Sequence, residues 1–114
     1  MESKKRARIA KKKTSELITH LQKELKILLK KDQFNAKVLS KILKDAEWRQ
    51  GREWRLALED TLANLYKYDI PLREQTKILC KEAFDYYDRP NWTMRGQDLF
   101  GDAFDELKLY YNAE

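Results

Sequence analysis

Apolar residues recur along most of this chain at intervals of three and four, the spacing that lines one face of an α-helix. Leu17, Ile18, Leu21, Leu25, Leu28 and Leu29 form the first such stripe and predict a helix over 14–31, with Thr14 or Ser15 as its cap. Upstream, residues 3–13 set Ala7, Ile9 and Ala10 among seven basic side chains. Their mutual repulsion predicts fraying in isolation and extension of the helix when phosphates neutralise it. After a break at 32–35, Asn35 is placed as the N-cap of a second helix whose buried stripe is Val38, Leu39, Ile42, Leu43 and Ala46.

The pattern weakens around Gln50 and Gly51, then resumes with Trp54, Ala57, Leu58, Leu62 and Leu65 and ends near Tyr68 and Asp69. Gly51 either separates two helices or sits inside one long helix at about 1 kcal/mol relative to Ala. Pro71 suits a helical first turn, and Leu72, Thr76, Leu79, Cys80, Ala83, Phe84 and Tyr87 continue the next stripe, which stops before Pro90. Leu99, Phe100, Ala103, Phe104, Leu107 and Tyr110 predict a last helix. The fold class is therefore all-α: a single compact bundle of four or five helices over 14–114, preceded by a basic segment over 1–13 whose order the pattern leaves open.

Composition supports that reading, since 114 residues suffice for one core and only three Gly and two Pro interrupt the chain. Charge changes the picture more. Residues 1–31 carry eleven Lys and Arg against three Glu, a balance of +8, whereas the remaining residues balance to −3. Positive charge gathered at one end attracts polyanions even when the whole chain is only at +5. No hydrophobic run reaches the roughly 20 residues of a membrane span, and the expectation is a cytoplasmic protein that does not engage membranes.

The residues argue against catalysis. His20 lacks a Cys or Asp at a partner spacing, and the single Cys80 falls in an apolar stripe and reads as core. Asp98, Asp102 and Asp105 share a face of the last helix, but no Glu-x-x-His pair is there to complete a cation site. Glycine-rich phosphate loops and nucleophile elbows are missing. The expectation is a protein that is not an enzyme and needs no cofactor and no metal.

Basic rows carry the functional reading. If the backbone stays helical through Gly51, Lys37, Lys41, Lys44, Trp48, Arg52 and Arg55 project within about 80° of one another over about 27 Å, a line suited to a phosphate backbone. Arg73, Lys77 and Lys81 form a shorter row on the helix after Pro71, and Lys11, Lys12 and Lys13 add the basic start. Trp48 could stack on a base, while Trp54, Tyr66, Tyr68, Tyr86, Tyr87, Trp92 and Phe104 read mostly as packing residues. The partner expected is RNA or DNA, bound by shape and charge; a tight helix-turn-helix for sequence-specific reading is not evident.

From about Thr14 to Tyr111 the chain resembles the small subunit of class 1 CRISPR effector complexes, the Cascade-type assemblies: short, helical, poor in cysteine, with basic faces and no catalytic groups. On that resemblance Lys37, Lys41, Lys44, Arg52 and Arg55 would share the family's role. It implies copies stacked along a larger ribonucleoprotein, an antiviral machine, guiding guide RNA, target strand or displaced DNA. A reading from a different class is a protein-interaction adaptor, or a phage-encoded inhibitor of a host enzyme, docking through an apolar helix face or its acidic last helix.

Overall fold

A computed structural model describes residues 2–86, 93–94 and 105–111. They form α1 (Glu2–Lys31), α2 (Gln33–Gln50), α3 (Trp54–Lys67), α4 (Glu74–Tyr86) and a helical segment over 105–111, α5; no strand occurs among them. The all-α bundle is therefore observed.

The 30 residues of α1 make it the spine, and α2 and α4 both pack along it while α3 folds back on α2. Leu17, Leu21, Leu28, Leu39, Leu43, Leu58, Leu62, Leu65 and Ile70 are buried together, joined by Phe84, Leu107 and Tyr111 from the carboxy-terminal half. Each large apolar side chain so buried contributes about 1.5–3 kcal/mol, which makes this cluster the main stabilising element. Tyr111 crosses the core to donate its hydroxyl to the Leu62 carbonyl at 2.6 Å, so its one polar atom is satisfied.

Two boundaries differ from the sequence pattern, and a third settles an open alternative. The first helix starts at Glu2 rather than near Thr14. Ala10 is fully buried, and α4 supplies the neutralising charge that the basic segment lacks within itself: Lys13 pairs with Glu82, and Arg6 donates to the Asp85 carbonyl at 2.7 Å and lies over the Tyr86 ring. The carboxy-terminal end of α4 also presents the negative pole of its dipole to Arg6. Thr14, placed as a cap by the pattern, is instead buried within the helix and donates its hydroxyl to the Ala10 carbonyl.

The second difference is the cap of α2. Asp32, not Asn35, is the N-cap; its carboxylate accepts the Asn35 N–H at 3.1 Å and the Asn35 amide at 2.6 Å. These hydrogen bonds, the backbone one first, hold the Asp32 carboxyl below the usual aspartate range. A single residue thus turns the chain from α1 into α2.

At Gly51, which the pattern left as either a break or a position inside one long helix, the helix ends. Arg52 and Glu53 donate back to the Arg49 carbonyl, Glu53 leaves helical geometry (φ −131°, ψ 59°), and its carbonyl starts α3 by accepting from Ala57. One straight helix over 33–67 would leave Leu58, Leu62 and Leu65 in water, whereas folding back removes all three from solvent. Gly51 itself is in ordinary right-handed helical geometry (φ −72°, ψ −29°), and an added Cβ would meet nothing within 4 Å. Gly51→Ala should therefore raise stability by about 0.4–1 kcal/mol through a less flexible unfolded chain, read as a higher midpoint in a thermal melt.

α3 closes with a Schellman motif. Asp69 takes the left-handed conformation (φ 49°), its N–H bonds the Tyr66 carbonyl, and the buried Ile70 donates to the Leu65 carbonyl at 3.2 Å. The chain then runs past Pro71, which stands ahead of the helix rather than in its first turn. Arg73 stands just ahead of α4, its carbonyl accepting from Thr76 and Lys77.

Candidate nucleic-acid interface

The residues of the longer predicted row are divided by the turn at Gly51. Lys37, Lys41, Lys44 and Trp48 lie exposed on α2, and Arg52 is exposed in the turn. Trp48, Arg49, Arg52 and Glu53 together line a recess of about 290 Å³ at the end of α2. Arg55 belongs to α3, half-buried, its guanidinium 4.7 Å above the Trp54 ring. The continuous row through Gly51 is thus corrected: α2 keeps the three lysines and the tryptophan, Arg52 stays beside them, and Arg55 leaves.

What α2 loses at one end it gains at the other. Phe34 lies inside the helix and is 73% exposed, and Trp48, fourteen residues on, is 80% exposed. At 100° and 1.5 Å per residue, Phe34, Lys37, Lys41, Lys44 and Trp48 fall within about 80° and span about 21 Å. Leu29, Phe34, Lys37, Lys41 and Lys44 share a broad, shallow recess of about 800 Å³. None of the three lysines forms an ion pair with another described residue. Three unpaired ammonium groups between two bare aromatic rings can meet successive phosphates while the rings meet bases.

The other predicted basic residues are differently employed. Arg73 donates both its backbone N–H (3.2 Å) and its Nε (2.8 Å) to Glu24 Oε1, so it is a structural partner of a buried carboxylate rather than the head of a phosphate-binding row. Lys81 is 3.9 Å from Asp85, and only Lys77 of that row is exposed without an ion pair among the described residues. Lys11 and Lys12 are exposed, but Lys13 is held by Glu82, which raises its pKa through their hydrogen bond. The shorter row is therefore dismantled by intramolecular carboxylates.

Two buried acids went unread in the pattern. Glu24 is 2% exposed and takes Thr76 Oγ1 as a third donor at 2.7 Å, and Glu59, also buried, accepts from the backbone N–H (3.0 Å) and hydroxyl (2.6 Å) of Thr93. Burial alone would push the Glu24 carboxyl up, but the hydrogen bonds from Arg73 and Thr76 outweigh it and leave its pKa lowered. A signal was present: Glu24 follows Leu17 and Leu21 and precedes Leu28 at core spacing, and Glu59 sits between Leu58 and Leu62.

Among the described residues no group of His, Cys, Asp or Glu is arranged to hold a metal, and no helix is long and apolar enough to cross a membrane. Asp98 and Asp102 lie outside the described residues; Asp105 is exposed on α5. His20 is half-buried, and its Nδ1 has no hydrogen-bond partner among the described residues. Cys80 is fully buried, and burial pushes its thiol up to about 12. Cys80 should stay unmodified by a thiol reagent in the native protein and react at once in denaturant, as read by thiol titration.

Comparison of the chain with protein-family models, with curated proteins and with solved structures finds no match.

Proposed function

We propose that this chain is a non-catalytic subunit that holds single-stranded nucleic acid along α2, as part of a larger ribonucleoprotein of the kind its resemblance to CRISPR effector small subunits implies. The observation that carries this reading is the α2 face, with Lys37, Lys41 and Lys44 exposed between Phe34 and Trp48 and without an ion pair among the described residues. Lysines alone would fit duplex or single strand equally. Large exposed aromatics favour the single strand, whose unstacked bases offer faces to stack on, whereas a duplex hides them.

The test is equilibrium binding of a labelled oligothymidine, followed by anisotropy over a range of salt. Three phosphate contacts predict a slope of roughly −2 in log affinity against log salt, from about −0.7 per contact on a single strand. Trp48→Ala should cost roughly 5- to 150-fold in affinity, corresponding to about 1–3 kcal/mol for one stacked base, without changing that slope. An equally tight duplex of the same length, or a Trp48→Ala variant that binds like the parent, would refute the single-strand reading.

A further inference from the structure

Beside the lysine face lies a cleft between α2 and α3, of about 400 Å³, lined by Val38, Lys41, Ile42, Asp45, Asn64 and Tyr68. Val38 and Ile42 give it an apolar floor that packs with the core. Lys41 and Asp45 stand one helical turn apart on one wall, and Asn64 and Tyr68 one turn apart on the other. The volume lies in the range of about 300–1,000 Å³ typical of small-ligand sites.

The polar lining is unused by the fold. Lys41, Asp45, Asn64 and Tyr68 make no side-chain hydrogen bond to another described residue, whereas Glu24 is held by Arg73, Asp32 by Asn35, Asp60 by Arg49 and Glu82 by Lys13. Tyr68 is 49% exposed, with the Lys67 ammonium 5.5 Å from the centre of its ring. Most telling is Asp45, an exposed carboxylate within a turn of Lys41 and beside Lys44. It repels phosphate where the neighbouring lysines attract it, so the cleft suits the part of a nucleotide that carries hydrogen-bond donors.

We propose, on the strength of the single-strand reading above, that this cleft receives one unstacked guanine from the strand held on α2. Guanine alone among the common bases presents two adjacent donors, N1–H and N2–H, on its Watson–Crick edge, and a carboxylate can accept both at once. Asp45 is that acceptor. The Asn64 amide donates to O6, Tyr68 packs on the face of the base, and Lys41 stays with the backbone phosphate at the rim. Adenine and cytosine would turn a bare ring nitrogen toward the carboxylate, and thymine or uracil has a single imino donor flanked by two carbonyls.

The test compares three oligonucleotides on the full chain by anisotropy: all thymidine, the same with one central guanine, and the same with inosine, which lacks the 2-amino group. Guanine should bind roughly tenfold tighter than thymidine and inosine should lose most of that gain, the size expected of a hydrogen bond to a charged group. Asp45→Asn, at an exposed site that leaves the thermal melt unchanged, should erase the preference while holding or raising the affinity for oligothymidine. Equal binding of all three oligonucleotides, or a preference that survives Asp45→Asn, overturns the cleft assignment and leaves the α2 reading standing. Failure of every oligonucleotide to bind overturns both. Free guanosine monophosphate binding as tightly as the guanine-bearing strand overturns the strand as the source of the base.

Discussion

Replacing Lys37, Lys41 and Lys44 together by alanine is expected to weaken oligothymidine binding by roughly 50-fold at about 0.15 M salt, and to flatten its salt dependence by about two units of slope. The magnitude follows from counterion release: three lost contacts at about 0.7 ions each give an exponent of about two, to which the salt concentration is raised. The three side chains are exposed and pair with no described carboxylate, so their removal leaves no buried charge behind and the fold should be unaffected. The matched control neutralises Lys23, Lys26 and Lys108, which are also exposed but lie on α1 and α5. It lowers net charge by the same three units and tests whether position or total charge matters. Similar losses in the two triple variants would mean that the molecule attracts nucleic acid through its overall field, and the α2 face would lose its special standing. Reversing Glu59 and Asp60 would be a poor control, since one is buried and accepts from Thr93 and the other is paired with Arg49.

The bundle was legible because helices announce themselves by period. The stripes through Leu17 and Leu21, Leu39 and Leu43, Leu58 and Leu62, and Cys80 and Ala83 all face the core as their spacing requires. Ends were less legible, because they depend on partners far along the chain. The order of residues 2–13 rests on Glu82 and the end of α4, and the turn at Gly51 rests on the apolar face of α3 finding α1 and α2. No window of neighbouring residues contains that information. The same logic governs the site: Lys37, Lys41, Lys44 and Trp48 share one helix, so helical spacing alone brought them together, while Arg55 was lost with the turn and Phe34 was missed with the early start of α2. Arg73 looks like a surface cation in sequence because nothing local reveals that Glu24, far back in α1, lies beneath it. Long-range ion pairs decide which basic residues remain free, and a one-dimensional pattern is blind to them.

That buried pair carries the second large expectation, this time in stability. Glu24→Ala should cost about 1–3 kcal/mol, measured by denaturant unfolding, since removing the acceptor leaves a buried polar group unsatisfied. The loss falls chiefly on Thr76, whose buried hydroxyl has Glu24 as its acceptor; Arg73, with its side chain 46% exposed, can turn to water. Glu24→Gln keeps an acceptor for Thr76 and should lose less. It also isolates the charge: a carboxyl whose folded pKa is depressed adds stability above its unfolded value, near 4.5, and loses it as pH falls through the lower folded value. The gap in unfolding free energy between parent and Glu24→Gln should therefore be full at neutral pH and shrink steadily below pH 4.5. A gap that stays constant through that acid range would mean the ionised carboxylate adds nothing beyond its shape, and Arg73 would then be available as the surface cation that its sequence position suggests.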